Sequence, residues 1–232
     1  MQDLKSRYLA VKSAVADAAV ASGRRAEDVE LIAAVKYATA EEIEFLHREC
    51  GLCHVGENRV QQLLEHYEAL PCRDEMKIHF IGSLQKNKVK YIIDKVCLIH
   101  SLDSLSLAAE IEKQAAKHGI TMDVLVEINS GREEAKGGVL PEDAAEFCLA
   151  LSAFPHVRLR GFMTMAPKCE KNEEYREYFR KTSQLCLDIW QKNLHNIGRP
   201  ILSMGMSDSF EVAIEEGADI VRVGRALFAP HE

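Results

Sequence analysis

A single lysine, Lys36, ends a strongly apolar segment and is the first residue of the chain that suggests chemistry. The segment "LIAAVKYATA" runs from Leu31 to Ala40, and polar, helix-starting residues follow the lysine directly. In partly desolvated surroundings an amine favours its neutral, nucleophilic form, which attacks a carbonyl group to make an imine. The same spacing also fits a lysine that meets solvent where a strand ends, and spacing alone favours this simpler interpretation.

Two glycine-containing segments near the end of the sequence have the features of an anion site. In "SMGMSDS", Gly205 and Ser207 precede a predicted helix, whose free N–H groups and dipole attract negative charge. In "VGRALF", Gly224 lets the backbone approach a ligand closely before a short helical turn. Both glycines would also suit tight turns without a ligand. A phosphate site near a strand-end lysine indicates a Schiff base with a phosphorylated aldehyde.

The chain contains seven cysteines, and two of them form the pattern "CGLCH" from Cys50 to His54. This spacing matches a redox pair and a haem-attachment motif, but incidental or structural cysteines are the favoured interpretation. An odd number of cysteines without an export signal argues against a disulfide framework. No second pair of ligands accompanies these two at zinc-site spacing, so the sequence predicts no metal site.

Composition narrows the class of protein. The chain has 232 residues, of which 47% are hydrophobic and 28% charged, and its net charge is −7. The acidic balance argues against a broad nucleic-acid surface. The first residues follow an amphipathic helix pattern and not that of a signal peptide, and no segment approaches the roughly 20 apolar residues of a membrane span. We therefore expect a cytoplasmic monomer without membrane or nucleic-acid partners.

Short apolar segments alternate with helical patterns along almost the whole chain. Strands are predicted at 31–35, 53–55, 78–81, 96–100, 122–128, 157–162, 201–204 and 220–223. Helices are predicted between them at 41–49, 59–69, 86–93, 104–118, 141–152, 173–195 and 209–216. Asp208 and Glu211 have the spacing of a capping box at the start of the last helix, and Gly217 is predicted to end it.

This alternation predicts a parallel sheet covered by helices. Eight such units in a chain of this length close naturally into a (β/α)8 TIM barrel, as a single domain over residues 1–232. An open doubly wound sheet is the main alternative. In a barrel, chemistry gathers in the loops that follow the strands, and the loops after strands seven and eight commonly bind phosphate. Lys36 lies at one of these strand ends.

Several motifs together resemble one protein family. They are, in chain order, "AVK", "VGENRVQ", "HFIGSLQKNK", "INSGREEAKGG", "RGFMTM" and "SMGMSDSFEVAIEEGADIVRVGRALF". The combination resembles the YggS/PROSC-type pyridoxal phosphate homeostasis proteins over about residues 31–228. The resemblance implies a single barrel similar to the N-terminal domain of alanine racemase. It also implies binding of pyridoxal 5′-phosphate (PLP) and a role in holding this cofactor or delivering it to recipient apoenzymes.

The resemblance assigns roles to individual residues. Lys36 corresponds to the lysine that forms the Schiff base, and Arg222 to the arginine that faces the pyridine nitrogen. Lys136 corresponds to a lysine involved in cofactor handling or transfer. The other matched positions line the pocket or hold the phosphate: Asn58, His79, Met204, Ser207, and the backbone at Gly224 and Arg225. Many relatives have threonine in place of Arg225, so only its backbone N–H is expected to contact the phosphate.

The same residues bear on whether the chain is an enzyme. Arginine keeps its proton at ordinary pH, so Arg222 can donate to a ring nitrogen but not accept, which weakens the cofactor as an electron sink. A racemase also needs a second acid or base, which alanine racemases take from a further domain, and this sequence ends at Glu232 soon after its last predicted strand. We therefore expect a non-catalytic PLP-binding protein. A small PLP-dependent racemase, a Schiff-base aldolase and a barrel that binds phosphate without an imine are the alternatives.

Overall fold

The alternating apolar segments form eight parallel strands that close into a barrel, with the strands in sequence order around it. A computed structural model describes residues 1–133, 136–191 and 199–228. The strands are β1 (Glu30–Ala34), β2 (His54–Glu57), β3 (Lys77–Phe80), β4 (Leu98–Leu102), β5 (Met122–Ile128), β6 (Val157–Thr164), β7 (Ile201–Ser203) and β8 (Ile220–Val223). Pairing of β1 with β8 closes the sheet. The predicted (β/α)8 barrel is confirmed, and the open doubly wound sheet is wrong.

Each strand is followed by a helix, and one further helix precedes β1. The helices are α1 (Gln2–Ala21), α2 (Ala40–Cys50), α3 (Val60–Ala69), α4 (Val89–Ile92), α5 (Leu105–His118), α6 (Ala144–Ala150), α7 (Asn172–Trp190), α8 (Phe210–Glu215) and α9 (Arg225–Phe228). α1 packs against α2, α8 and α9. Among the described helices, none combines the length and the apolarity needed to cross a membrane.

Element boundaries differ from the predicted ones by a few residues. β4 begins at Leu98, two residues later than predicted, and α6 begins at Ala144 because residues 141–143 form a turn. The predicted helix at 86–93 is a short 3-10 turn followed by α4. Residues 192–195 of the predicted long helix lie outside the described residues. The assignment of residues 1–232 to a single domain stays a prediction.

One of the two signals predicted for the ends of α8 is wrong. Ser209 is the residue that precedes the helix, and its side chain makes no capping hydrogen bond to the helix. Asp208 forms an ion pair with Arg225 instead, so the capping box with Glu211 does not form. Gly217 follows the end of α8 with a φ of 99°, a backbone conformation that glycine adopts without strain, and this prediction is confirmed.

The interior of the barrel contains an apolar layer flanked by polar residues. Five strands contribute one residue each to a small hydrophobic cluster, which consists of Ile32, Leu98, Leu125, Met163 and Ile220. Side chains two residues apart on a strand face the same side of the sheet. His100 therefore follows Leu98 into the interior, and Arg222 follows Ile220.

Gly161 shapes the part of β6 that passes close to β7. The pairing of β5 with β6 shifts register after Val124, where one extra residue of β6 enters the ladder. The φ of Gly161 is 147°, and a β carbon there would lie 2.0 Å from the backbone oxygen of Ile201. Only glycine fits such a close approach of the two backbones. The extra residue of β6 forms a bulge, and this bulge sets the register of β6 as far as Thr164, its last residue.

A buried ion pair fixes α3 against the end of β2. Glu57 is the last residue of β2 and is 2% exposed, and its Oε1 lies 2.6 Å from Nδ1 of His66 in α3. The hydrogen bond from His66 to Glu57 raises the pKa of His66 above its ordinary value, against the opposite effect of burial. The second oxygen of Glu57 is buried and has no partner among the described residues. The contact between the two side chains is therefore strongest when His66 is in its imidazolium form.

We predict that this pair stabilises the fold more at acidic than at alkaline pH. Because the folded-state pKa of His66 lies above the unfolded value, its stabilisation is fully present below about pH 6.5 and is lost as the pH rises through the folded pKa. The loss of unfolding free energy in His66→Gln, measured by urea denaturation, should be larger at about pH 6 than at about pH 9. An equal loss at both pH values would contradict this assignment.

Candidate functional site

The ends of β1, β2 and β3 border an open cleft of about 400 Å³. Lys36 lies two residues beyond the end of β1, and its side chain is exposed in this cleft. Its Nζ lies 4.7 Å from the centre of the Tyr37 ring, which is a cation–π distance. The side-chain amide of Gln62 in α3 donates to the backbone carbonyl of Lys36 at 3.2 Å. The backbone of Lys36 is therefore tied to α3, and its amine is accessible to a small molecule.

Asn58 follows β2 directly and lines the same cleft, together with Ser83 and Met165. Its Oδ1 is buried and has no hydrogen-bond partner among the described residues. A buried polar atom without a partner costs roughly 1–3 kcal/mol, so a donor group of a ligand would be stabilised here. Gly82 allows the neighbouring loops to meet, since a β carbon there would lie 2.0 Å from the backbone oxygen of Asn58.

Arg222 is buried inside the barrel, with 4% of its surface exposed. Its Nη1 donates to Oγ of Ser203 at 2.5 Å, and its Nη2 donates to the backbone oxygen of Thr164 at 2.9 Å. Burial lowers the pKa of Arg222 to about 10, and the negative charge of Glu127 opposes this shift. The guanidinium therefore keeps its proton near neutral pH and can only donate hydrogen bonds.

Three histidines continue from Ser203 through the interior of the barrel. Nδ1 of His100 lies 3.0 Å from Oγ of Ser203, and its Nε2 lies 3.0 Å from Nδ1 of His79. Nε2 of His79 lies 3.1 Å from Nδ1 of His54. Burial lowers the pKa of His79 to about 4 and that of His100 well below its ordinary value, so both rings are neutral near pH 7.

Of these three histidines, the sequence motifs predict a role only for His79. The family resemblance assigns His79 to the cofactor pocket, whereas the contacts of its ring nitrogens are with His54, His100 and Glu30. The role of His79 toward a cofactor stays a prediction. One feature of the sequence could have revealed this row of histidines. His54, His79 and His100 fall on three successive strands, each of which contributes to the barrel interior.

The loops after β7 and β8 contact each other through Ser207. Its Oγ accepts a hydrogen bond from the backbone N–H of Ala226 at 3.3 Å. The guanidinium of Arg225, in the same turn, is exposed and forms an ion pair with Asp208. The side chain of Arg225 is thus paired with a carboxylate, and the role of its backbone N–H toward a phosphate stays a prediction.

The loop after β8 also packs against the end of β1. A β carbon on Gly224 would lie 3.0 Å from the backbone oxygen of Ala34, so glycine allows this close approach. In the sheet, Ala33 pairs with Val223, and these two residues directly precede Ala34 and Gly224. The predicted anion-binding segment therefore adjoins the strand that ends two residues before Lys36.

The two remaining predicted residues lie in different environments. Met204 is fully buried in the large hydrophobic core. Lys136 is exposed in the loop after β5, and its Nζ forms an ion pair with Glu133. The barrel end thus brings Lys36, Asn58 and the loop of Gly224 to one side of the molecule, while Met204 is enclosed and Lys136 is already paired.

Sequence comparison places the chain among known proteins. A family model described as the alanine racemase N-terminal domain matches residues 14–231. The pyridoxal phosphate homeostasis protein of Aquifex aeolicus is 49% identical over 207 residues, which cover 89% of each chain. The protein of the same name from Escherichia coli K12 is 30% identical over 236 residues, covering 100% of this chain and 98% of the relative.

Structural comparison agrees with these matches. PipY of Synechococcus elongatus, solved without PLP and with PLP bound, superposes with TM-scores of 0.86 and 0.84 at 28% and 27% identity. In both comparisons 97% of this chain and 100% of PipY are covered. An alanine racemase of Clostridium difficile shares the fold, with a TM-score of 0.74 at 18% identity over 57% of its length. By the family model and the curated relatives together, the chain belongs to the alanine racemase N-terminal domain family, in its group of pyridoxal phosphate homeostasis proteins.

Proposed function

We propose that this protein binds PLP, holds it as a Schiff base on Lys36, and keeps or delivers the cofactor in the cytoplasm without turning over a substrate. The observation that carries the proposal is the exposed amine of Lys36 in a cleft that is also lined by Asn58, whose buried Oδ1 has no partner among the described residues. The names of the curated relatives and the PLP-bound structure of PipY support it. PLP-dependent apoenzymes are the proposed recipients, and a monomer is the proposed state.

The residues present fit the functional groups of PLP. The amine of Lys36 suits the aldehyde, and the buried Oδ1 of Asn58 suits a ring hydroxyl that can donate a hydrogen bond. Arg222 suits the ring nitrogen, since it can donate to that atom. The backbone at Gly224 and the hydroxyl of Ser207 suit the phosphate, because both lie where the loops after β7 and β8 meet.

Arg222 supports a carrier role over an enzymatic one. Bound PLP supplies an aldehyde that forms imines and a ring that withdraws electrons most strongly when its nitrogen is protonated. Arg222 keeps its own proton and donates to Ser203 and Thr164. It can therefore donate a hydrogen bond to the ring nitrogen but cannot accept one from a protonated ring nitrogen. A ring without a proton on its nitrogen is a weaker electron sink, which disfavours turnover and still permits storage.

We expect Lys36 to be the single attachment point of the cofactor. After loading with PLP and reduction with borohydride, peptide mapping should find one cofactor per chain, on Lys36. Lys36→Ala should carry almost none. Lys90→Ala is the matched control, because Nζ of Lys90 lies 4.8 Å from the ring of the adjacent Tyr91 in the same kind of contact as Lys36 and Tyr37. Equal labelling of Lys36→Ala and Lys90→Ala would overturn the assignment.

Asn58→Ala should weaken PLP binding without weakening the fold. Loss of one ligand hydrogen bond should raise the PLP dissociation constant about 10-fold, which corresponds to roughly 1.4 kcal/mol. The unfolding free energy of the cofactor-free protein should stay the same or rise, since the substitution removes a buried atom that has no partner. PLP titration and urea denaturation measure the two effects. Reduced stability with unchanged affinity would give Asn58 a purely structural role.

The loaded protein should leave amino acids unchanged. Incubation with a panel of L-amino acids in heavy water should give neither deuterium at the α carbon nor the D-enantiomer, beyond the background of free PLP. Mass spectrometry and chiral chromatography measure the two products. Exchange that depends on Lys36 would instead establish the racemase alternative.

A further inference from the structure

Three potential metal ligands meet at the other end of the barrel, where the strands begin. Glu30 is the first residue of β1, His54 is the first residue of β2, and His79 reaches them from the interior of β3. Oε1 of Glu30 lies 2.7 Å from Nδ1 of His54 and 3.6 Å from Nε2 of His79. The two ring nitrogens lie 3.1 Å apart. Among the described residues, this is the one group of three such ligands.

The three distances fit a tetrahedral metal site. Zinc binds nitrogen and carboxylate oxygen at about 2.0–2.2 Å in tetrahedral geometry, which puts neighbouring ligand atoms about 3.3 Å apart. The observed separations range from 2.7 to 3.6 Å. A cation placed among these three atoms therefore needs only small side-chain shifts. Two histidines and one glutamate also form the ligand set of zinc sites that keep an open fourth position.

With neutral rings, a single proton on His54 holds these three ligand atoms together. At 2.7 Å from the Glu30 carboxylate, Nδ1 of His54 must carry a proton and donate it. The same N–H also faces the lone pair of Nε2 of His79, which lies 3.1 Å away, so the carboxylate and the second ring share it. Nε2 of His79 is in turn too far from Glu30, at 3.6 Å, to donate to it well. A cation in place of this proton would accept a lone pair from each of the three atoms.

The interior of the barrel supplies the outer partners that a metal-bound histidine needs. A ligating histidine usually donates its other ring N–H to a fixed acceptor, which sets its tautomer. Nδ1 of His79 lies 3.0 Å from Nε2 of His100, and Nδ1 of His100 lies 3.0 Å from Oγ of Ser203. Each ring can therefore donate to the next group along the chain and leave Nε2 of His79 free to bind a metal.

We propose that Glu30, His54 and His79 bind a divalent transition metal ion, best matched by Zn²⁺, at the end of the barrel opposite Lys36. The side chains of Glu30 and His54 are 36% and 29% exposed, and both residues border a cavity of about 430 Å³, so an ion can enter. Nitrogen ligands suit Zn²⁺, Co²⁺ and Ni²⁺, whereas Mg²⁺ and Ca²⁺ prefer oxygen. Sequence spacing predicted no metal site because these ligands come from three separate strands.

Zinc titration of the full chain tests the proposal. Chelator-treated protein should bind one Zn²⁺ per chain in competition with a chromophoric chelator, and excess Mg²⁺ or Ca²⁺ should not displace it. Loss of an outer partner typically weakens a site 10- to 100-fold, so loss of a direct ligand in Glu30→Gln or His54→Gln should weaken binding by about 100-fold or more. Failure of the wild type to bind, or binding by both variants as tight as that of the wild type, would overturn the site.

Two controls separate this site from other surface ligands. Nδ1 of His156 also lies 2.7 Å from a carboxylate, that of Glu112, but His156 belongs to no three-ligand group among the described residues. His156→Gln should therefore bind Zn²⁺ like the wild type. The double variant Cys53→Ser and Cys97→Ser should also bind normally, although both thiols are exposed. Loss of binding in the cysteine variant, with retention in His54→Gln, would assign the metal to the thiols and overturn the proposal.

Nitrogen NMR of the wild-type protein provides a test that needs no variant. Addition of Zn²⁺ should shift the ¹⁵N resonances of Nε2 in His79 and Nδ1 in His54, the two atoms that face Glu30. Nδ1 of His79 should stay protonated, because it faces Nε2 of His100. Unchanged resonances at one equivalent of Zn²⁺, or metal binding at Nδ1 of His79, would contradict the proposed geometry.

Discussion

The charge of Arg222, enclosed in the barrel, is the constraint on which the interior depends. A guanidinium removed from water is stable only when its donors are satisfied, so β7 must supply the Ser203 hydroxyl and β6 the Thr164 carbonyl. These contacts fix three strands relative to one another, and the bulge at Gly161 sets the register that brings Thr164 into reach. A core of aliphatic side chains alone would not need this alignment.

The polar interior links the two ends of the barrel. From Arg222 the hydrogen-bonded groups run through Ser203 and His100 to His79. Each ring nitrogen in such a chain is either donor or acceptor, so the choice made by one histidine determines that of the next. An ion at the strand starts and a ligand at the strand ends would therefore act on the same set of protons, although they lie at opposite ends of the molecule.

The barrel architecture could be predicted from the sequence, but the contacts inside the barrel could not. Alternation of strands and helices is a local pattern, so the barrel and the strand end at Lys36 could be predicted from it. The capping box of Asp208 failed because a distant side chain, Arg225, competes for the carboxylate. His100 and Ser203 are 103 residues apart in sequence, and only closure of the barrel joins them. The roles of the pocket residues came from family resemblance and stay predictions.

The exposure of Lys36 and Tyr37 has a kinetic consequence. Tyr37 is 55% exposed, and the amine beside its ring faces an open cleft and not an enclosed cavity. A cofactor bound to Lys36 in this open cleft would be within reach of a nucleophile on another macromolecule, so its transfer by direct exchange would not require the barrel to open. The rate of this transfer would then depend mainly on the concentrations of the two proteins and on how often they collide in the right orientation. It would depend less on any motion of the barrel.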